Sequence, residues 1–85
     1  MLTAATFDSV TTSLVLIAAT QTSSDVGRIA EVSVRDAMRM WDVGHQAAAS
    51  AKVEAALLRI RHFPGVAGTD VERVAVLALA RIANA

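Results

Sequence analysis

Few side chains in this sequence are equipped for covalent chemistry. Its 85 residues hold two histidines, eight basic and eight acidic side chains, and no cysteine. A thiol nucleophile and a cysteine-held metal are therefore ruled out. His45 and His62 are separated by a predicted helix that has no carboxylate at ligand spacing between them. Asp42 and His45 stand three apart, but Gly44 intervenes, and two ligands are too few to close a zinc site. Asp70 and Glu72 read as favourable charges on a helix N-terminus rather than as an acid/base pair. The four glycines do not form a phosphate-cradling GxxxxGK[ST] run. The expectation is a protein that is not an enzyme and uses no metal or cofactor. What remains is a set of cations: Arg28, Arg35 and Arg39 in the first half, then Lys52, Arg59, Arg61 and His62, opposed locally only by Glu54.

The length suits one domain, residues 1–85, with no room for a catalytic and a regulatory part. Hydrophobic residues make up 54% and aromatics 4%, so the core must be aliphatic and alanine-rich. So small a chain leaves much of its surface exposed, and without cysteines its stability must come from regular helix packing or self-association. A formal net charge of zero argues against a general nucleic-acid coat, which needs a cationic excess over phosphate. The apolar run from Leu14 to Ala19 is too short to span a bilayer, and no Lys or Arg precedes it as in a signal peptide. These features predict a cytoplasmic protein without a membrane anchor.

Hydrophobic spacing predicts an all-α chain of about five short helices. Phe7, Val10, Leu14 and Ile17 line one face of a first helix over 9–19, although its Thr and Val content also suits a strand. A second helix is expected over 24–31 and a third over 34–43, with Ser33 as the N-cap between them and Asp36 completing a capping box. Gly44 ends the third. The fourth runs from 45 or 46 to 62 and is stopped by Pro64-Gly65. Thr69 and Glu72 form a capping box that opens a fifth, 71–83.

Two short helices joined through Val32 and Ser33 are expected to cross steeply, burying Val26, Gly27, Ala30, Val32, Ala37 and Met40. The stretch from Thr22 to Trp41 resembles the helix-turn-helix of bacterial and phage DNA-binding regulators. Val26, Gly27, Ala30, Val32, Ser33, Ala37 and Met40 match the family's buried, small and turn positions. The helix bearing Leu14 and Ile17 stands where the family's first helix would. Glu31 departs from the pattern, because the turn there usually carries glycine. The resemblance covers about residues 9–44. It implies a recognition helix whose Ser33, Arg35, Met38 and Arg39 face double-stranded DNA, with Arg28 near the backbone and Lys52, Arg59 and Arg61 adding phosphate contacts.

Residues 45–85 read as a packing part. The fourth helix carries a wide apolar stripe, Ala49, Val53, Ala56, Leu57 and Ile60, and a second, smoother one, Ala47, Ala51, Ala55 and Leu58. In the fifth, Val71, Val74, Ala75, Ala78, Leu79 and Ile82 form the main stripe, while Val76 and Leu77 point elsewhere. One short chain cannot cover both sides of both helices, so Ala51, Ala55, Leu58, Val76 and Leu77 are expected to pair two chains as a homodimer. Two functions follow as expectations. One is a dimeric helix-turn-helix transcriptional regulator. The other is a helical protein-interaction module, such as an adaptor, antitoxin-like or assembly subunit, without DNA binding.

Overall fold

The computed structural model describes residues 2–85. Four α-helices account for its regular structure: α1 (Ala4–Thr20), α2 (Asp25–Asp42), α3 (Gln46–Arg61) and α4 (Asp70–Ala83). The all-α expectation holds, with four helices in place of five.

The first helix begins earlier than its apolar spacing suggests, because Thr3 caps it. The Thr3 hydroxyl accepts from the Thr6 N–H at 3.2 Å. Its strand-like composition does not prevent helix formation. The hydroxyls of Thr11, Thr12 and Thr20 donate to carbonyls four residues back, at 2.9, 2.8 and 3.0 Å. Even buried Thr11 therefore leaves no polar atom unsatisfied.

The second difference is larger. The break expected at Val32 and Ser33 is absent, and α2 runs through both residues as one rod. Neither Gly nor Pro lies between Arg28 and Asp42 to stop it. Val26, Ala30, Val34, Ala37 and Trp41 recur at spacings of four, four, three and four, which is a single helical face. Val34 is buried, whereas Val32, expected to anchor the turn, is 38% exposed. Ser33 is not an N-cap. That role falls to Ser24, whose hydroxyl accepts from the Gly27 N–H at 3.1 Å and donates to the Gln21 carbonyl at 2.7 Å.

The connection before α2 is tight. Ser23 adopts a positive φ of 65°, and the Gln21 carbonyl lies so close to Gly27 that a Cβ there would stand 2.0 Å from its oxygen. Gly27 is thus a backbone-approach position. At the other end of α2, Gly44 takes φ 90° and turns the chain into α3. The Thr69 cap on α4 forms as expected: its hydroxyl accepts from Glu72 N–H at 3.4 Å. The Glu72 carboxylate reaches back to Gly68 N–H at 3.1 Å, one residue before the cap.

Short connections make successive helices antiparallel. Phe7, early in α1, stacks on Trp41, late in α2, with ring centroids 4.1 Å apart and planes 14° from parallel. Trp41 therefore fastens α1 to α2. Asp36 of α2 meets Lys52 of α3 at 3.7 Å, equidistant in sequence from the Gly44 turn. Leu2 and Ile82 share a depression with Ser50 and Ala51, and Leu16 shares one with Val71 and Val74. The four helices thus form an up-down-up-down ring, each packed on its two neighbours, with α1 touching α3 across the middle. Phe7, Val10, Leu14, Ile17, Val53, Leu57 and Ile60 fill the centre.

Candidate functional site

Among the described residues, no group of three or more His, Asp or Glu side chains is placed to hold a metal ion. No helix there is long and apolar enough to cross a membrane. What the bundle offers is its outer helix faces.

On α2, Arg28, Arg35 and Arg39 are all exposed. At 100° per residue they fall within about 40° of one another. The unbroken helix therefore brings Arg28 into line with the other two, which a turn at Val32 would not have done. Met38 is exposed on the edge of this stripe, while Ser33 is half-buried on the other side of the helix and stands apart from it. Glu31 and Asp42 are exposed beside the arginines, three or four residues from them, so the stripe alternates in sign. The helix-turn-helix geometry implied for Ser33, Arg35, Met38 and Arg39 needs a steep crossing at Val32, and α2 does not supply one.

Of the cations on α3, Lys52 is engaged by Asp36. Arg59, Arg61 and His62 are exposed at its C-terminal end. Antiparallel pairing about Gly44 sets that end level with Arg28, so these cations lie at the same end of the bundle.

The second candidate surface lies on α3 and α4. The wide stripe of α3, Ala49, Val53, Ala56, Leu57 and Ile60, is buried throughout. The smoother stripe, Ala47, Ala51, Ala55 and Leu58, faces solvent, with Leu58 41% exposed. On α4, Val71, Ala75 and Ala78 are buried and Val74, Leu79 and Ile82 partly so. Val76 and Leu77 stay outside. Ala51 and Ile82 line one depression between α3 and α4, and the same antiparallel register brings Leu58 about level with Val76. The five side chains expected to pair chains are therefore all solvent-facing.

A third surface was not among the expected sites. Val15 and Leu16 on α1 are each half exposed, and Leu16 shares a depression with Val74 of α4. Its signal was present in the run from Leu14 to Ala19: once Leu14 and Ile17 turn inward, a helix must turn Val15 and Leu16 outward. Comparison with protein-family models, with curated proteins and with solved structures finds no match to this chain.

Proposed function

We propose that this protein is a helical protein-interaction module that binds another protein chain through the outer face of α3 and α4. The observation that carries the reading is the pair of levelled, exposed apolar side chains, Leu58 and Val76, with exposed Ala51 and Ala55 beside them on α3. A smooth alanine stripe admits close approach of a partner helix, and the larger side chains beside it supply apolar area to bury. Each helix already packs a complete inner stripe, so this second set is surplus to the fold. The DNA-binding alternative rests on Arg28, Arg35 and Arg39, and its support is weaker. Their helix is continuous and its outer face carries Glu31 and Asp42, which repel phosphate.

Two binding experiments separate the readings. In pull-downs, a partner retained by the wild type and by Arg35→Ala/Arg39→Ala, but lost with Leu58→Asp or Val76→Asp, supports the module. In gel shifts on genomic fragments at two salt concentrations, a salt-sensitive complex that disappears with Arg35→Ala/Arg39→Ala, helicity intact, overturns it in favour of DNA binding.

A further inference from the structure

The α1 outer face differs from the rest of the surface in having almost no charge, whereas α4 carries Asp70, Glu72, Arg73 and Arg81. Asp8 is the one charged residue of α1. Leu16 is 50% and Leu77 53% exposed. Leu16, Ile17, Thr20, Val71 and Val74, together with Gln21 and Asp70, line a depression of about 220 Å3 between the two helices. At the opposite end of the same groove, Asp8 and Arg81 line a shallower depression together. Neither makes an ion pair among the described residues, whereas Arg73, the other arginine of α4, is held by Asp70 at 2.7 Å.

We propose that this face takes a second copy of the chain, with α1 of each protomer seated on α4 of its partner about a two-fold axis parallel to the bundle. Such an axis keeps every residue at its own level while exchanging α1 for α4. Leu16 shares a level with Val74, so Leu16 of one protomer meets Val74 and Leu77 of the other, twice over. Asp8 shares a level with Arg81, so the one acid of α1 meets the unengaged arginine of the opposite α4, also twice. The Asp8 and Arg81 charges are self-complementary under this symmetry. A two-fold lying across the helices would instead stack α1 on α1 and set Asp8 against the uncharged end near Ala19 and Thr20. The dimer goes beyond the partner-binding reading and does not rest on it, since it leaves both α3/α4 faces outward. It moves the expected homodimer contact from α3 and α4 to α1 and α4, keeping Leu77 and releasing Ala51, Ala55, Leu58 and Val76.

Sedimentation velocity on the full chain across a concentration series tests this, with far-UV circular dichroism confirming the helicity of each variant. The wild type is expected to pass from monomer to dimer. Leu16→Asp raises the dissociation constant at least about tenfold, because it places an unpaired carboxylate at the centre of the contact. Asp8→Arg and Arg81→Asp each weaken the dimer, and the combined reversal restores it. Leu58→Asp leaves it unchanged. A wild type that stays monomeric at the highest soluble concentration overturns the proposal. So does a dimer indifferent to Leu16→Asp, a combined charge reversal no stronger than the single ones, or a dimer abolished by Leu58→Asp. The Leu58→Asp arm also keeps the two interfaces distinguishable, because partner capture depends on it and self-association does not.

Discussion

Helices α1 and α2 are nearly equal in length and bury similar inner faces, yet their outer faces share little. The solvent side of α2 carries Arg28, Glu31, Arg35, Arg39 and Asp42, a mixed-sign row typical of a helix that stays in water. The corresponding side of α1 carries Ala5, Asp8, Thr12, Val15, Leu16 and Ala19. The inner faces answer to the same packing demand, so they converge on Val, Leu, Ile and Ala at three- and four-residue spacing. Outer faces are free of that demand, and what they carry reflects what each helix meets outside the bundle. By that measure α2 meets solvent, and α1 is poorly suited to meeting solvent alone.

The largest test of that contrast compares two leucines on one helix. Leu14 is fully buried, and Leu16 is half exposed. Leu14→Ala removes core contacts and leaves a cavity, so unfolding in urea should show a loss of about 3 kcal/mol. Leu16→Ala, measured at dilutions where the chain is monomeric, should cost less than about 1 kcal/mol. Similar losses at the two positions would mean that Leu16 belongs to the fold, and the contrast between the outer faces would fail.

A smaller effect is expected at the join between the helices. Helix propensity alone favours Ala over Gly inside α2 by about 1 kcal/mol. The Gln21 carbonyl reverses that sign at Gly27, because the added methyl lands 2.0 Å from a backbone oxygen. Gly27→Ala should therefore destabilise by about 2 kcal/mol as the connection shifts. Thermal unfolding checks this, and a gain in stability would show that α1 and α2 are less closely joined than described. Ser24→Ala removes the cap at the same join and should cost about 1 kcal/mol.

The contrast between Val32 and Val34 explains how far the chain could be read before its structure. Phe7, Val10, Leu14 and Ile17, the five buried residues of α3, and Gly44 as a terminator were all legible, because periodicity and left-handed turn geometry are local. The break at Val32-Ser33 was not real. A serine with an acid three residues on resembles a cap, and only the burial of Val34 shows that the helix continues through it. Capping signals mark places where a helix can begin, and packing decides whether it does. The role of Trp41 was hidden for a related reason: its stack on Phe7 is a contact across 34 residues of sequence, and no local pattern announces it. The exposed stripe of Ala51, Ala55 and Leu58 was legible because α3 has more apolar residues than one face can hold. The matching surplus on α1, Val15 and Leu16, was equally visible in the run from Leu14 onward.

The smallest effect belongs to the charged side. Lys52 and Asp36 join α3 to α2 at 3.7 Å with both side chains partly in solvent. Such a pair contributes about 0.5 kcal/mol or less after screening and the ordering of a flexible side chain. Lys52→Ala should therefore lower stability by no more than that, and the difference from wild type should vanish as salt rises. Arg35→Ala/Arg39→Ala, on a face that packs against nothing, should fall within about 0.5 kcal/mol of wild type. These near-silent changes sharpen the comparison most when set beside Leu16→Asp. If the outer side of α2 serves only to keep its helix in water, removing its arginines leaves both folding and self-association intact, whereas one carboxylate on the outer side of α1 separates the protomers. Sedimentation of Arg35→Ala/Arg39→Ala alongside Leu16→Asp reads this directly, and dissociation of the arginine variant would show that α2, too, faces another chain.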